Sequence, residues 1–228
     1  MSNPSPLVNS IAPTNITAGS AAATLTVNGS GFISTSVVEW NGSDRATIYV
    51  SATQIQATLT IADLALGGTA QVVVVNPSPG GGTSSAETFT IDNPIPQISS
   101  LSPNTVETSD ANLQVKIMGS NFVSSSSVTW NGAIQTSSYV SSTEIQFTLS
   151  ADDVRTAGGA QVSVINPGPG GGSAAPRMIR INGPVVVYPS TVSVPIGGTV
   201  DFSAYLPSQP SNTSFTWAVG GSDSGAVT

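Results

Sequence analysis

Two stretches carry the residue types most often recruited to hold a ligand: NPSPGGG at 76–82 and NPGPGGG at 166–172. A glycine-rich loop can cradle a phosphate when it leads from a strand into a helix whose N-terminus and a following Lys-Ser/Thr complete the site. Here the glycines run into TSSAETFTI and SAAPRMIRI, which read as strands, and no Lys is near. The stretch is a strand-to-strand connection, in which Pro stops the ladder and Gly permits the reversal. It is a turn, made twice.

Other chemistry finds little to work with. Acid–base and nucleophilic catalysis draw on His, Cys or paired carboxylates, and the chain has neither His nor Cys. Asp152 and Asp153 are adjacent, but the matching place 90 residues earlier holds Ala62 and Asp63. A calcium site needs several converging oxygen ligands, and the eight Asp and four Glu are dispersed. Asn15, Asn28, Asn41 and Asn212 open Asn-x-Ser/Thr sequons, which matter only in a glycosylating host. Trp40, Trp130 and Trp217 could stack on sugars, yet each alternates with an apolar neighbour (Val38, Val128, Phe215) and so belongs to a core face. No catalytic, cofactor-binding or metal-ligating residue is expected.

Composition agrees. Only 7% of the 228 residues are charged, and Ser, Thr, Gly, Ala, Val and Asn dominate, a profile of strands and turns rather than helices. The net charge is −7, and the five cations (Arg45, Lys116, Arg155, Arg177, Arg180) are scattered. Nucleic-acid binding rests on clustered basic side chains, so DNA, RNA and anionic membrane surfaces are poor partners. No run of about 18 apolar residues suggests membrane insertion. The opening MSNPSPLVNSIAP has no signal-peptide pattern, which leaves a cytoplasmic chain or a part of a longer secreted one.

The elements that would position any site come in duplicate. Shifted by 90 residues, the chain aligns with itself without a gap: GSGFISTSVVEWNG (29–42) lies over GSNFVSSSSVTWNG (119–132), and AQVVVVNPSPGGG (70–82) over AQVSVINPGPGGG (160–172). Thirty-five of the 90 positions are identical, and the unit is too long for a solenoid repeat of roughly 20–50 residues. It has the size of a β-sandwich domain.

The two copies also sort inward from outward positions. Ser163 opposite Val73 marks that position as outward, leaving Val72 and Val74 for the core. By the same comparison Leu25, Val27, Ile55 and Leu59 point inward with their counterparts. Ser138 under Ile48 places Tyr49 and Tyr139 inward too. WNG at 40–42 and 130–132 is a hairpin signal, and the punctuation fits seven short strands per copy. TIAD (60–63) and SADD (150–153) share Ser/Thr-x-x-Asp, a spacing in which the hydroxyl caps a short helical turn.

Taken in order, PIPQISSLSP (94–103), Gly-x-x-Phe at 29–32 and 119–122, Trp-Asn-Gly, and VxNPxPGGG before a last strand resemble the IPT/TIG family. These are immunoglobulin-like, E-set domains, in the version found in bacterial surface and secreted proteins. The resemblance implies an all-β fold of tandem Ig-like sandwiches, one over residues 4–93 and one over 94–183, without intrinsic catalysis. It places Trp40 and Trp130 on the third strand, where such sandwiches bury a Trp. VPIGGTVDFSA (194–204) resembles the start of a bacterial Ig-like domain, so 184–228 reads as the first part of a third, truncated one. Strands are expected there near 186–189, 192–195, 198–205 and 214–219. Alone in solution this segment should fray or aggregate, because the apolar faces of Val200, Phe202, Phe215 and Trp217 lack the second half that would cover them. Tyr188 and Tyr205 are the aromatics a polysaccharide would reach there.

The implied role is a non-catalytic spacer, stalk or adhesive module of a larger extracellular or cell-surface bacterial protein. Its partner would be a protein or polysaccharide. The alternative is an ancillary module of a secreted polysaccharide-degrading enzyme. The short, Pro-bearing linkers DNPIPQ (92–97) and NGPVVV (182–187) predict a semi-rigid rod.

Overall fold

A computed structural model describes residues 1–184, 186–188, 190–193 and 197–205. The first ten strands are β1 (Leu7–Ala12), β2 (Asn15–Thr17), β3 (Ala23–Ser30), β4 (Val37–Trp40), β5 (Ser43–Arg45), β6 (Thr47–Ser51), β7 (Gln54–Leu59), β8 (Gly68–Asn76), β9 (Gly82–Thr83) and β10 (Glu87–Asp92). The next ten repeat the series: β11 (Gln97–Ser102), β12 (Thr105–Glu107), β13 (Gln114–Ser120), β14 (Ser127–Trp130), β15 (Ala133–Gln135), β16 (Ser137–Ser141), β17 (Glu144–Thr148), β18 (Gly158–Asn166), β19 (Gly172–Ser173) and β20 (Arg177–Asn182). Ten strands per unit exceed the seven expected. The extra three (β2, β5 and β9 in the first unit) are only two or three residues long, too short to show a periodicity.

Each unit is a sandwich of two sheets, ordered β1-β3-β7-β6 and β2-β10-β8-β4-β5 in the first, with β9 added on β8. The second unit repeats this with β11-β13-β17-β16 and β12-β20-β18-β14-β15. Pro13 lacks the N–H that would continue the β1 ladder. The chain then changes sheet, and β2 runs parallel to β10. The fold is all-β and immunoglobulin-like, made in tandem.

The two cores are separate clusters. Leu25, Val27, Ile55, Leu59, Val72 and Val74 are fully buried, as are Val115, Ile117, Ile145, Leu149, Val162 and Val164. Trp40 and Trp130 are also buried, but they pack against different partners. Trp40 meets Phe89 of β10 at 5.1 Å and Trp130 meets Phe147 of β17 at 6.1 Å, both tilted. At the reciprocal places stand Ala57 and Ile179. The aromatic has moved from one sheet to the other while Trp stays, a swap that keeps the core filled.

The Gly-x-x-Phe motif has a steric cause. A Cβ on Gly29 would lie 1.9 Å from the Leu7 carbonyl oxygen and 2.7 Å from the Phe32 ring, and Gly119 is held as tightly by Gln97 and Phe122. The Asn-Gly turns are two-residue hairpins between Trp40 and Ser43 and between Trp130 and Ala133. Asn41 and Gly42 have φ of 50° and 77°, as a type I′ turn requires.

Two expectations need correction. Tyr49 and Tyr139 are not buried: each is 40% exposed. Tyr49 pairs with buried Ile55, so it does lie on the inner face. However, β6 is the outer strand of its sheet, with a bulge between Tyr49 and Ser51, and the core does not extend beneath it. Among the described residues of the third segment two strands form, β21 (Val186–Tyr188) and β22 (Ser203–Tyr205), paired antiparallel. Residues 192–193 are in no strand and Phe202 is exposed. The strand expected at 214–219, with Phe215 and Trp217, lies outside the described residues.

Candidate functional site: the joint between the sandwiches

The NPxPGGG stretch is a turn, and it also organises one end of each unit. Asn76 and Asn166 are 2% exposed. The Asn76 carboxamide accepts a hydrogen bond from Ser36 Oγ (2.5 Å) and donates to the carbonyls of Gly31 (2.7 Å) and Pro4 (2.9 Å). Asn166 does the same with Ser126, Asn121 and Pro94. One amide therefore ties the loop after β3, the end of β8 and the chain entering the unit. The glycines lead into β9, a strand, so no helix N-terminus exists to hold an anion.

The glycine turn then grips the entering chain. Asn3 N–H donates to the Pro79 carbonyl, the Gly81 N–H donates to the Asn3 carbonyl, and Asn3 Nδ2 donates to the Pro77 carbonyl (2.7, 2.8 and 2.7 Å). In the second unit Asn93 takes this place, bonded to Pro169, Gly171 and Pro167 at 2.7–3.0 Å. Positive φ at Gly80 and Gly81 (77° and 70°) lets the backbone come this close.

Asn93 differs from Asn3 in one respect. Asn3 is half-buried, whereas Asn93 is only 8% exposed, because the first unit covers it. A Cβ on Gly67 would stand 2.2 Å from Asn93 Oδ1. Asn93 thus sits between the loop before β8 and the glycine turn of the second unit, and touches both. At the next junction the corresponding residues are Ala157 and Gly183, so the large and small partners are exchanged.

The shared carboxylates are structural. Thr60 and Asp63 form a reciprocal cap: the Thr60 N–H donates to Asp63 Oδ2 (2.8 Å), and the Asp63 N–H donates to Thr60 Oγ1 (3.2 Å). Successive i→i+3 bonds follow in place of a helix. Arg45 closes on Asp63 through both its Nε and Nη2 (2.9 and 2.5 Å). Burial alone would raise the Asp63 pKa. The Arg45 hydrogen bond, those from Thr60 and the guanidinium charge outweigh it and hold the carboxyl below its ordinary value. In the second unit Gln135 replaces Arg45, reaching Asp153 Oδ1 at 3.1 Å. Asp152 turns away to an exposed pair with Arg155, so the two adjacent carboxylates serve different partners. Among the described residues no group of three or more Asp and Glu could hold a metal.

An IPT/TIG domain model matches residues 6–91 and again 96–177. The chain belongs to the IPT/TIG domain family. No curated protein sequence matches it. Among solved structures, this pair of IPT/TIG domains is similar to a chain crystallised with a xylogluco-oligosaccharide, at 15% identity over 92% of this chain and 56% of that one, TM-score 0.47. A Bacteroides ovatus SGBP-B of a mixed-linkage glucan utilization locus, in complex with a heptasaccharide, is 19% identical over 80% of this chain and 46% of its own, TM-score 0.31. The plexin A4 extracellular region is 18% identical over 76% of this chain, TM-score 0.30, and this chain spans only 18% of it. At these identities the likeness concerns the fold. IPT/TIG domains are generally non-catalytic modules.

Asn76, Asn166 and Asn93 were not singled out from the sequence. The signal was present in the dipeptide Asn-Pro, which recurs at 3–4, 76–77, 93–94 and 166–167.

Proposed function

We propose that this chain is a non-catalytic repeat region of a longer extracellular or cell-surface bacterial protein, acting as a stalk or adhesive spacer. One observation supports this above the others: Asn93 is shared between the two sandwiches. A spacer transmits position only when its joints resist bending. Here a buried side chain, rather than the linker peptide alone, couples the units. Each sandwich keeps its own core, so the load on the joint is separable from the stability of either unit.

Gly67→Ala tests the reading. Position 67 has no positive φ, so Ala is tolerated by the backbone, and the nearest atoms its methyl meets are those of the Asn93 side chain. Both sandwiches should stay folded, with the second losing about 1–3 kcal/mol at most, since the methyl presses on buried Asn93 and its bonds to the second unit's glycine turn. Small-angle scattering should change from one elongated shape to a broad distribution of distances. Unchanged scattering from Gly67→Ala would remove the support for a rigid spacer. Hydrolysis of glycosides, esters or peptides by the purified chain would contradict the non-catalytic reading.

A further inference from the structure

The joint encloses a cleft that the spacer role does not require. Its volume is about 500 Å3, inside the range of roughly 300–1,000 Å3 typical of small-ligand sites. Leu66, 74% exposed, stands on the wall from the first unit. Tyr139 of β16 stands on the wall from the second, with Asn121, Ser124, Ser142 and Thr143. No charged side chain is among the lining residues.

We propose that this cleft binds a short segment of a neutral oligosaccharide. The half-exposed Tyr139 offers a ring face for the C–H face of a sugar and a phenol for its hydroxyls. Asn121 Nδ2 is engaged by the Ile95 carbonyl at 3.0 Å, which fixes the carboxamide and leaves its oxygen as an acceptor. The exposed hydroxyls of Ser124 and Ser142 donate and accept without charge. A polyol satisfies such a lining. An ionic ligand finds no counter-charge, and the net charge of −7 works against acidic polysaccharides. The Asn93 clamp supplies preorganisation, because it holds the two walls in one arrangement before any ligand arrives. Tyr49 is the built-in control. It has the same type, strand position and exposure as Tyr139 but lies outside the cleft.

Native affinity electrophoresis of the full chain in gels containing a mixed-linkage β-glucan, a galactomannan or soluble starch tests the proposal. At least one should retard the chain, independently of salt. Tyr139→Ala and Leu66→Asp should each weaken retardation about tenfold or more. Tyr49→Ala should leave it unchanged. Both tyrosines are half-exposed, so circular dichroism should show all variants folded. Gly67→Ala should weaken binding by opening the cleft. Absence of retardation by all three polymers would overturn the proposal, as would equal losses from Tyr49→Ala and Tyr139→Ala. So would binding that Leu66→Asp leaves intact, since that would place the ligand on one unit alone. Salt-sensitive binding confined to charged polymers counts against it too. Scattering that shows an intact joint together with no retardation refutes the cleft and leaves the spacer reading standing.

Discussion

Asn76→Ala should unfold the first sandwich at a much lower temperature and leave the second untouched. The substitution removes the acceptor of the Ser36 hydroxyl and the donors to Gly31 and Pro4. Ser36 is buried, so its O–H finds no water in exchange. Gly31 is half-buried and its carbonyl is partly stranded, whereas exposed Pro4 can be rehydrated. At about 1–3 kcal/mol for each buried group left unpaired, two groups come to roughly 2–6 kcal/mol. A domain near this size has about 5–13 kcal/mol in all. Each kcal/mol moves its melting temperature by about 4–8 °C, so the first transition should fall by at least about 8 °C and by up to roughly 50 °C.

Scanning calorimetry reads this directly, since the separate cores give two transitions. Asn166→Ala should lower the second transition alone and by less, because Ser126 is half-buried and Asn121 exposed, so water can replace part of what is lost. Asn76→Asp separates hydrogen bonding from packing. It preserves volume but replaces the Nδ2 donor with a carboxylate facing two carbonyls, and it should be at least as damaging as Ala. A fall below about 3 °C, or both transitions moving together, would refute the hub. So would Asp behaving like the parent.

Three further outcomes are expected. The Asp63 carboxyl lies below its ordinary value in the fold, so its contribution is present above the unfolded pKa of about 3.9 and is lost as pH falls through the folded one. Asp63→Asn should lower the melting temperature of the first unit at pH 7 and flatten its decline as pH falls below about 3.9; a parallel decline in both proteins would refute the assignment. Gly29→Ala, which would place a methyl 1.9 Å from the Leu7 carbonyl, should cost the first unit about 1–3 kcal/mol as overpacking, measured by denaturant titration. Trp40→Ala should cost about 3–5 kcal/mol in the same unit, with the fluorescence-detected transition of Trp130 unmoved.

The fold was legible because the chain states it twice. Ser163 against Val73 separated the two faces of β8, which four consecutive valines could not do alone. The same comparison misjudged Tyr49 and Tyr139, and the reason is general. Alternation gives the face on which a side chain lies, and that face was right. Whether anything covers the face depends on the strand's place in the sheet order, and β6 and β16 are outermost. The short strands β2, β5 and β9 were invisible because two or three residues carry no period.

The joint was hidden for a different reason. Its two halves, Gly67 and Asn93, lie 26 positions apart, and neither is shared at the 90-residue offset, where Ala157 and Gly183 stand. Comparison of copies rewards identity, so it passed over both. Yet the pairs are complementary: a large side chain meets a missing one at the first junction, and a methyl meets a glycine at the second. Positions that differ together between repeats mark the contacts that distinguish one joint from the next. Positions that stay the same, such as Asn76 and Asn166, mark what every unit needs in order to fold. Most core positions, such as Val72 and Val74 with Val162 and Val164, belong to the second class, while the exchange of Phe89 and Ala57 for Ile179 and Phe147 is a paired difference inside the core. The cleft beside Tyr139 depends on the first, because its walls come from two units held by one particular pairing.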